Sequence, residues 1–469
     1  MRPKLGAHSE YKPSGIAWFG QVPAHWDIRR TKFVFRYYKE LNTDRAERNV
    51  LSLTLRGVVN NDLDNPEGLV PQDYASYQVF EKHDLVFKLI DLENLRTSRV
   101  GLVHERGIMS SAYVRLKQRT PGSIRFFYYQ FFDLYLRGIF NQLGGGVRAT
   151  LGPRDLLDLP ILLPPREEQD SIARFLDAKE AEISRLIAAK LRLVALLDEQ
   201  RQSIVRRAVT RGIDERARNR QTNVEWLGEV PEHWDVKRVK NVTQVLRGKF
   251  THRPRNDPAL YGGPYPFIQT GDVARADKTI TTHSQTLNDA GLAVSQMFPR
   301  GTLAMTIAAN IGDVAILDFD ACFPDSVVGF VPRSTIDRDY LYYVFRSMKT
   351  ELLREAPVNT QGNLNIDRIS ARGVPVPPHP EQLRIVQFIE ENTADIDAAI
   401  ANARQEIDLI REYRVRLLLA VIGGELDVRD AASHLSEHEA ALESADGLLA
   451  DSGLVDEAEL EEVGEEISA

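Results

Sequence analysis

Cysteine is almost absent from this chain: Cys322 stands alone among 469 residues. A single thiol excludes a disulfide framework and a cysteine-cluster metal site, and it fits a reducing compartment. No run approaches the roughly 18 consecutive apolar residues that a membrane helix needs. Met1–Glu10 lacks the apolar core of a signal peptide. The chain therefore reads as soluble and cytoplasmic. Lys and Arg are missing from residues 436–469, which hold 12 Asp/Glu. The formal net charge of −8 thus hides a body, residues 1–435, of +4. A mildly basic body permits an anionic partner without demanding one. The acidic tail cannot bury enough apolar surface to fold and is expected to be disordered.

Catalytic signatures are missing too. No G-x-x-x-x-G-K-[ST] occurs; Gly248-Lys249 runs into Phe250. No strand-linked G-x-G-x-x-G offers a dinucleotide site. Asn65-Pro66 continues to Glu67-Gly68 rather than to the Pro and aromatic of an amino-methyltransferase. Asp177 and Lys179 are a weak nuclease-like pair, better read as solvated charges on a helix. The ten histidines show no metal-ligand spacing. No catalytic residue, metal ligand or cofactor is assigned.

What is present occurs twice. Residues 18–27 read W-F-G-Q-V-P-A-H-W-D and residues 226–235 read W-L-G-E-V-P-E-H-W-D. All four tryptophans lie in these two decapeptides. Their aromatic and His residues, His25 and His233 included, read as anchors for packing. A second repeat follows at a constant offset of 213 residues: Pro164-Pro165 with Glu168-Gln169, then Pro377-Pro378 with Glu381-Gln382. The period is far above the ~20–50 residues of a solenoid. Two paired domains are implied.

Residues 28–160 alternate short apolar runs (Asn49–Leu55, Asp84–Ile90, Ala112–Leu116) with turn signals, as do residues 236–373. Ser110-Ser111-Ala112-Tyr113 reads as a strand start with Tyr113 in the core. Residues 167–211 contain no Pro or Gly and are rich in helix formers, and 380–422 match them after the opening Pro380. Leu176, Ile183, Lys190, Leu197 and Ile204 recur every seven residues. Ile389, Ile396, Ala403, Ile410 and Leu417 do the same. Ile172, Leu186 and Leu193 complete the first stripe and Ile385 the second. These are coiled-coil seams, and an antiparallel pairing would hold two domains apart. The predicted fold is mixed α/β with a pseudo-two-fold repeat. Its parts are a domain at 10–163, a spacer helix at 164–215, a domain at 216–376, a second spacer helix at 377–427 and the tail at 428–469.

Binding chemistry remains in the variable segments. Arg247, Lys249, Arg253 and Arg255 cluster, with Tyr261, Gln269 and Thr270 nearby; this suits phosphate contact and base-edge reading. Thr54, Arg56, Arg96, Ser98, Arg99 and Arg148 are the candidates in the first segment.

The W-x-G-x-V-P-x-H-W-D segments, the Pro-Pro…Glu-Gln helices and the two divergent domains together resemble the specificity subunit of type I restriction–modification enzymes, from about Glu10 to Asp427. The resemblance implies two mixed α/β target-recognition domains, each reading one half of an asymmetric bipartite site on double-stranded DNA. It implies long helices that set the gap between the half-sites. Its partners would be two DNA methyltransferase subunits that use S-adenosylmethionine, and motor–nuclease subunits that use ATP and Mg²⁺. The chain itself would be non-catalytic. The residues alone leave two alternatives: a coiled-coil scaffold with two protein-binding ends, and a stand-alone nuclease.

Overall fold

The structure is a computed structural model that describes residues 5–55, 57–61, 73–90, 92, 98–144, 150–308, 310–355 and 365–435. Arg56, Arg96, Arg148 and residues 436–469 of the acidic tail lie outside the described residues, while the start of the tail forms helix Arg429–Ser433. The chain divides into two compact units. Unit 1 comprises Met1–Arg192 and Ala403–Ala469, and unit 2 comprises Leu193–Asn402. Among the described residues, no helix is long and apolar enough to cross a membrane.

In unit 1 the apolar runs become strands Leu51–Thr54, Leu85–Phe87 and Val114–Gln118. An antiparallel sheet runs in the order Phe35–Tyr37, Val114–Gln118, Leu85–Phe87, Val100–Leu102. Helix Ile124–Leu136 buries Phe126, Phe127, Phe131 and Leu134. The edge-to-face contacts of Phe131 with Phe35 and Phe87, at 5.9 and 5.0 Å, fix it on that sheet. Tyr113 packs, half-buried, against a small core beside it.

Unit 2 is built differently. Five strands run in the order Thr243–Arg247, Val327–Pro332, Leu303–Thr306, Val314–Leu317, Thr279–Ile280, the last pair parallel. Leu303–Thr306 and Val314–Leu317 are buried at every position, as an unbroken apolar run demands. A second sheet contains Gln285–Leu287, Tyr261–Phe267, Ala321–Cys322 and Met297–Phe298.

The repeated frame is where the units agree. Each decapeptide ends in a strand that pairs with the strand before a long helix: Asp27–Arg30 with Pro160–Leu163, and Asp235–Arg238 with Gly373–Val376. The long helices are Arg166–Arg211 and His379–Ile422. In unit 1 the carboxylate of Glu168 accepts from the Trp26 indole at 2.9 Å and pairs with His25 at 2.7 Å. In unit 2 Glu381 does the same with Trp234 at 3.1 Å and His233 at 2.8 Å. Each tryptophan also meets the far end of the other helix. Gly424, at φ +76°, would place a Cβ 2.4 Å from Pro23 and 3.1 Å from Trp26; Gly212, at φ +73°, would place one 3.1 Å from Trp234. Only glycine combines this left-handed helix end with so close an indole. The decapeptide is thus a bracket between the start of one helix and the end of the other.

Within each unit the helix segments lie antiparallel. In unit 1 Glu180 meets Arg414 at 3.0 Å and Lys190 pairs with Glu406. In unit 2 Arg201 meets Asp397 at 2.8 Å. The heptad positions face inward: Leu176, Ile183, Ile389, Ile396, Ala403 and Leu417 are buried, and Lys190, Leu197, Ile204 and Ile410 are half-buried. Ile172 and Ile385 are also buried. The interleaved positions correct the sequence reading. Leu186 and Leu193 are 45% and 46% exposed. The second row falls one residue later, at Ile187, Val194 and Arg201 on the first helix and Thr393, Ile400 and Ile407 on the second. Four residues, rather than three, separate the two rows. A straight helix of 3.6 residues per turn accommodates either spacing, and only the neighbour selects one.

Candidate nucleic-acid interface

In unit 2 strand Thr243–Arg247 is followed by Gly248, where a Cβ would lie 2.0 Å from the Pro324 carbonyl. That close approach brings the 247–255 segment against Asp325. Arg247 donates to the Asp325 carbonyl at 3.1 Å. Arg255 contacts both carboxylate oxygens of Asp325, at 2.5 and 2.7 Å, and Arg253 stands 3.7 Å from one of them. Lys249 is exposed on the same turn. Two guanidinium groups therefore share one carboxylate while a third is held at its main-chain carbonyl, leaving surplus positive charge at an exposed site. Tyr261 is tied to this loop through its hydroxyl, which donates to the Arg255 carbonyl. Burial pushes that phenol up. Gln269 and Thr270 lie at a helix start, where Asp272 accepts from the Gln269 amide at 2.8 Å. Gln269 reaches Gln285 at 3.1 Å. The structure thus gathers Arg247, Arg253, Arg255 and Tyr261, while Gln269 and Thr270 serve a neighbouring cap.

Unit 1 distributes its expected residues otherwise. Thr54 ends a hairpin strand, its hydroxyl donating to the Gly57 carbonyl at 3.2 Å. Ser98 and Arg99 are buried, at 3% and 0% exposure. The Ser98 hydroxyl donates to the Val100 carbonyl at 2.8 Å. From these positions neither faces an external ligand.

A different basic group stands across the edge strand and its neighbour. Arg36 and Lys117 are directly opposite each other in the antiparallel pair of Phe35–Tyr37 with Val114–Gln118. Like charges in that relation repel. Both cations lie 5.6 Å from the Tyr38 ring, and the Arg115 guanidinium lies 4.8 Å from it on its buried side. Arg115 is held by Asp84 at 2.6 Å. Burial pushes the Asp84 carboxyl up, against the pull of the Glu81 amide and Arg115. Neither Arg36 nor Lys117 forms an ion pair among the described residues. Two cations facing each other around an aromatic ring suit an anion such as a backbone phosphate. The R-Y-Y-K run at 36–39 marks Arg36 and Tyr38 in the sequence, whereas Lys117 joins them only through strand pairing.

Other charged groups are internally committed. Asp177 accepts from Arg125 and Tyr129, both at 2.6 Å, while Lys179 pairs with Glu182 at 2.6 Å, so the nuclease-like pair does not converge. A small polar cavity in unit 2 is lined by Arg201, Lys278, Arg346 and Tyr342. Arg201 is paired with Asp397, and Lys278 with Asp339 and Glu390 at 2.8 and 2.7 Å.

Two mixed α/β units with divergent contents, each clipped to long helices by one repeated bracket, define a two-domain, internally repeated protein. The model of the type I restriction modification DNA specificity domain matches residues 58–193 and 231–408, and the chain belongs to that family. It is a specificity-type, non-catalytic component of such a system. It is 24% identical over 344 residues to the type I restriction enzyme MjaVIII specificity subunit of Methanocaldococcus jannaschii, covering 70% of this chain and 76% of that one. It is 22% identical over 319 residues to the EcoBI specificity subunit of Escherichia coli, covering 64% of this chain and 65% of that one. A solved chain, from work on complex assembly and conformational transition of the type I R-M system, shares its fold. The TM-score is 0.61 at 15% identity, over 86% of this chain and 99% of that one.

Proposed function

We propose that the chain reads a bipartite, asymmetric site on double-stranded DNA, one half through each unit. In the same reading it docks two methyltransferase subunits and, in a restricting complex, motor–nuclease subunits. S-adenosylmethionine, ATP and Mg²⁺ are then used by those partners. The observation that carries this reading is the contrast between a repeated bracket and unrelated contents. The same Trp–Glu–His bracket holds an Asp325-centred arginine cluster in one unit and the Arg36–Lys117 pair in the other. Two half-sites of different sequence require such a frame. The long helices act as the spacer in this proposal.

The test is to purify the chain with its methyltransferase partner and measure duplex binding against salt, then map methylated adenines in cells expressing the complex. Neutralising several phosphates makes affinity fall steeply with salt. A split asymmetric motif with a fixed gap is expected. Salt-insensitive association, or no methylated motif, would favour the protein-scaffold alternative.

A further inference from the structure

We infer that unit 1 carries a divalent-metal site formed by His8, His25 and Glu168, of the class that takes zinc. The three donor atoms, one from each side chain, all lie within 4.8 Å of one another. His25 Nε2 is 2.7 Å from Glu168 Oε2, and His8 Nε2 is 3.8 Å from Glu168 Oε1. Tetrahedral zinc, with bonds near 2.0–2.1 Å, sets its ligands about 3.3 Å apart. The separations present run from 2.7 Å up to the 4.8 Å bound, so metal binding requires the side chains to draw together by up to about 1.5 Å.

His8 is the residue that demands an explanation. It is 6% exposed, and its Nδ1 is buried with no hydrogen-bond partner. Burial lowers its pKa, ahead of the opposing pull of Asp427 and Glu168. The two nearest carboxylates, Glu168 at 3.8 Å and Asp427 at 3.9 Å, are too far for hydrogen bonds. A cation held between His8 and Glu168 gives this imidazole a purpose. Part of an outer ligand shell is in place. The Trp26 indole fixes Glu168 from the side at 2.9 Å, while Asp427, 3.9 Å from His8 Nδ1, is short of hydrogen-bond contact. The His25 side chain is 40% exposed, which leaves water access for a fourth ligand.

The second bracket is an internal control. His233 and Glu381 reproduce the His25–Glu168 pair, yet among the described residues the His8–His25–Glu168 group is the one such cluster. The consequence is structural. Gly6 accepts from the Asp427 amide at 2.8 Å, so His8 lies where the N-terminal segment meets the end of the second long helix. Metal would clasp both to the start of the first helix.

The experiment uses the full-length chain stripped with a chelator. Zinc is titrated by calorimetry, the melting temperature is followed with ZnCl₂ or MgCl₂, and Co²⁺ is added as a spectroscopic probe. One Zn²⁺ per chain is expected, with a melting rise of several degrees near saturation and no response to Mg²⁺, which prefers six oxygens. His8→Gln should weaken zinc at least about tenfold, as ligand loss does, while His233→Gln binds as the parent. Wild-type Co²⁺ protein should show the intense visible bands of four-coordinate cobalt. Unchanged zinc affinity in His8→Gln, equal loss in His233→Gln, or a weak octahedral Co²⁺ spectrum each overturns the site. If His8→Gln does not fold, the wild-type Co²⁺ spectrum and stoichiometry decide. None of these readouts depends on DNA recognition.

Discussion

The indole N–H of Trp26 donates to Glu168, 142 residues further along the chain, at 2.9 Å. Trp234 and Glu381 repeat the bond at 3.1 Å across 147 residues. Both indoles are buried, at 0% and 1% exposure. In each unit this one bond converts a local sequence repeat into a long-range closure.

Glu168→Ala should therefore destabilise unit 1 and spare unit 2. It leaves a buried indole N–H without its charged acceptor, a loss of about 2–4 kcal/mol. Hydrogen exchange should quicken in residues 10–30 and 160–176. Glu381→Ala should mirror the effect in residues 219–238 and 373–389. Equal acceleration of both regions in either variant would refute independent brackets.

Asp133 gives a pH signature. Burial raises its carboxyl to about 6, with the neighbouring Arg137 at 2.9 Å pulling the other way. The folded state thus holds this proton more tightly than the unfolded chain does. Its stabilising share is complete below about pH 4 and is lost as pH rises to 6, by about 3 kcal/mol at most. Asp133→Asn escapes that loss. Urea unfolding at pH 4.5 and pH 7 should show the variant gaining on the parent by about 1–3 kcal/mol. A difference that is flat with pH, or of opposite sign, contradicts the assignment.

The seam correction is directly testable. Leu186→Lys should change stability by less than about 0.5 kcal/mol, because the side chain is 45% exposed. Ile183→Lys, at a position 5% exposed, should cost about 3 kcal/mol or more. Comparable losses in both would restore the three-residue spacing between rows.

The basic groups should act through phosphate. Arg36→Ala or Lys117→Ala, assayed in the methyltransferase complex, should lower the slope of log affinity against log salt by about 1. Asp325→Asn should raise non-specific affinity, since it releases Arg253 and Arg255 from their shared acid. The methylated motif should not change in any of the three. A new motif would mean that these residues read bases.

The spacer role concerns helix length. Four helix-forming residues inserted after Arg192, with four more after Asn402, lengthen both helices by about 6 Å. The gap in the methylated motif should grow by about one to two base pairs, with both half-sites unchanged. An intact motif with its original gap would end the spacer reading.

The sequence by itself determined the repeat, the two long helices, three of the strands and the family. Each rests on short-range pattern: tryptophans at fixed spacing, a stretch without Pro or Gly, apolar runs between turns. What only the tertiary structure decided lies at longer range. Leu186 and Ile187 are adjacent and equally apolar, and the facing helix alone selects which is covered. Arg99 looked available and is buried, whereas Arg36 and Lys117 become neighbours only when their strands pair. His8, His25 and Glu168 have no ligand spacing along the chain, because 143 residues separate the second from the third. A backbone pattern reports which way a segment turns. It carries no information on which distant side chain arrives at the same point, and the site chemistry of this protein is made of such arrivals.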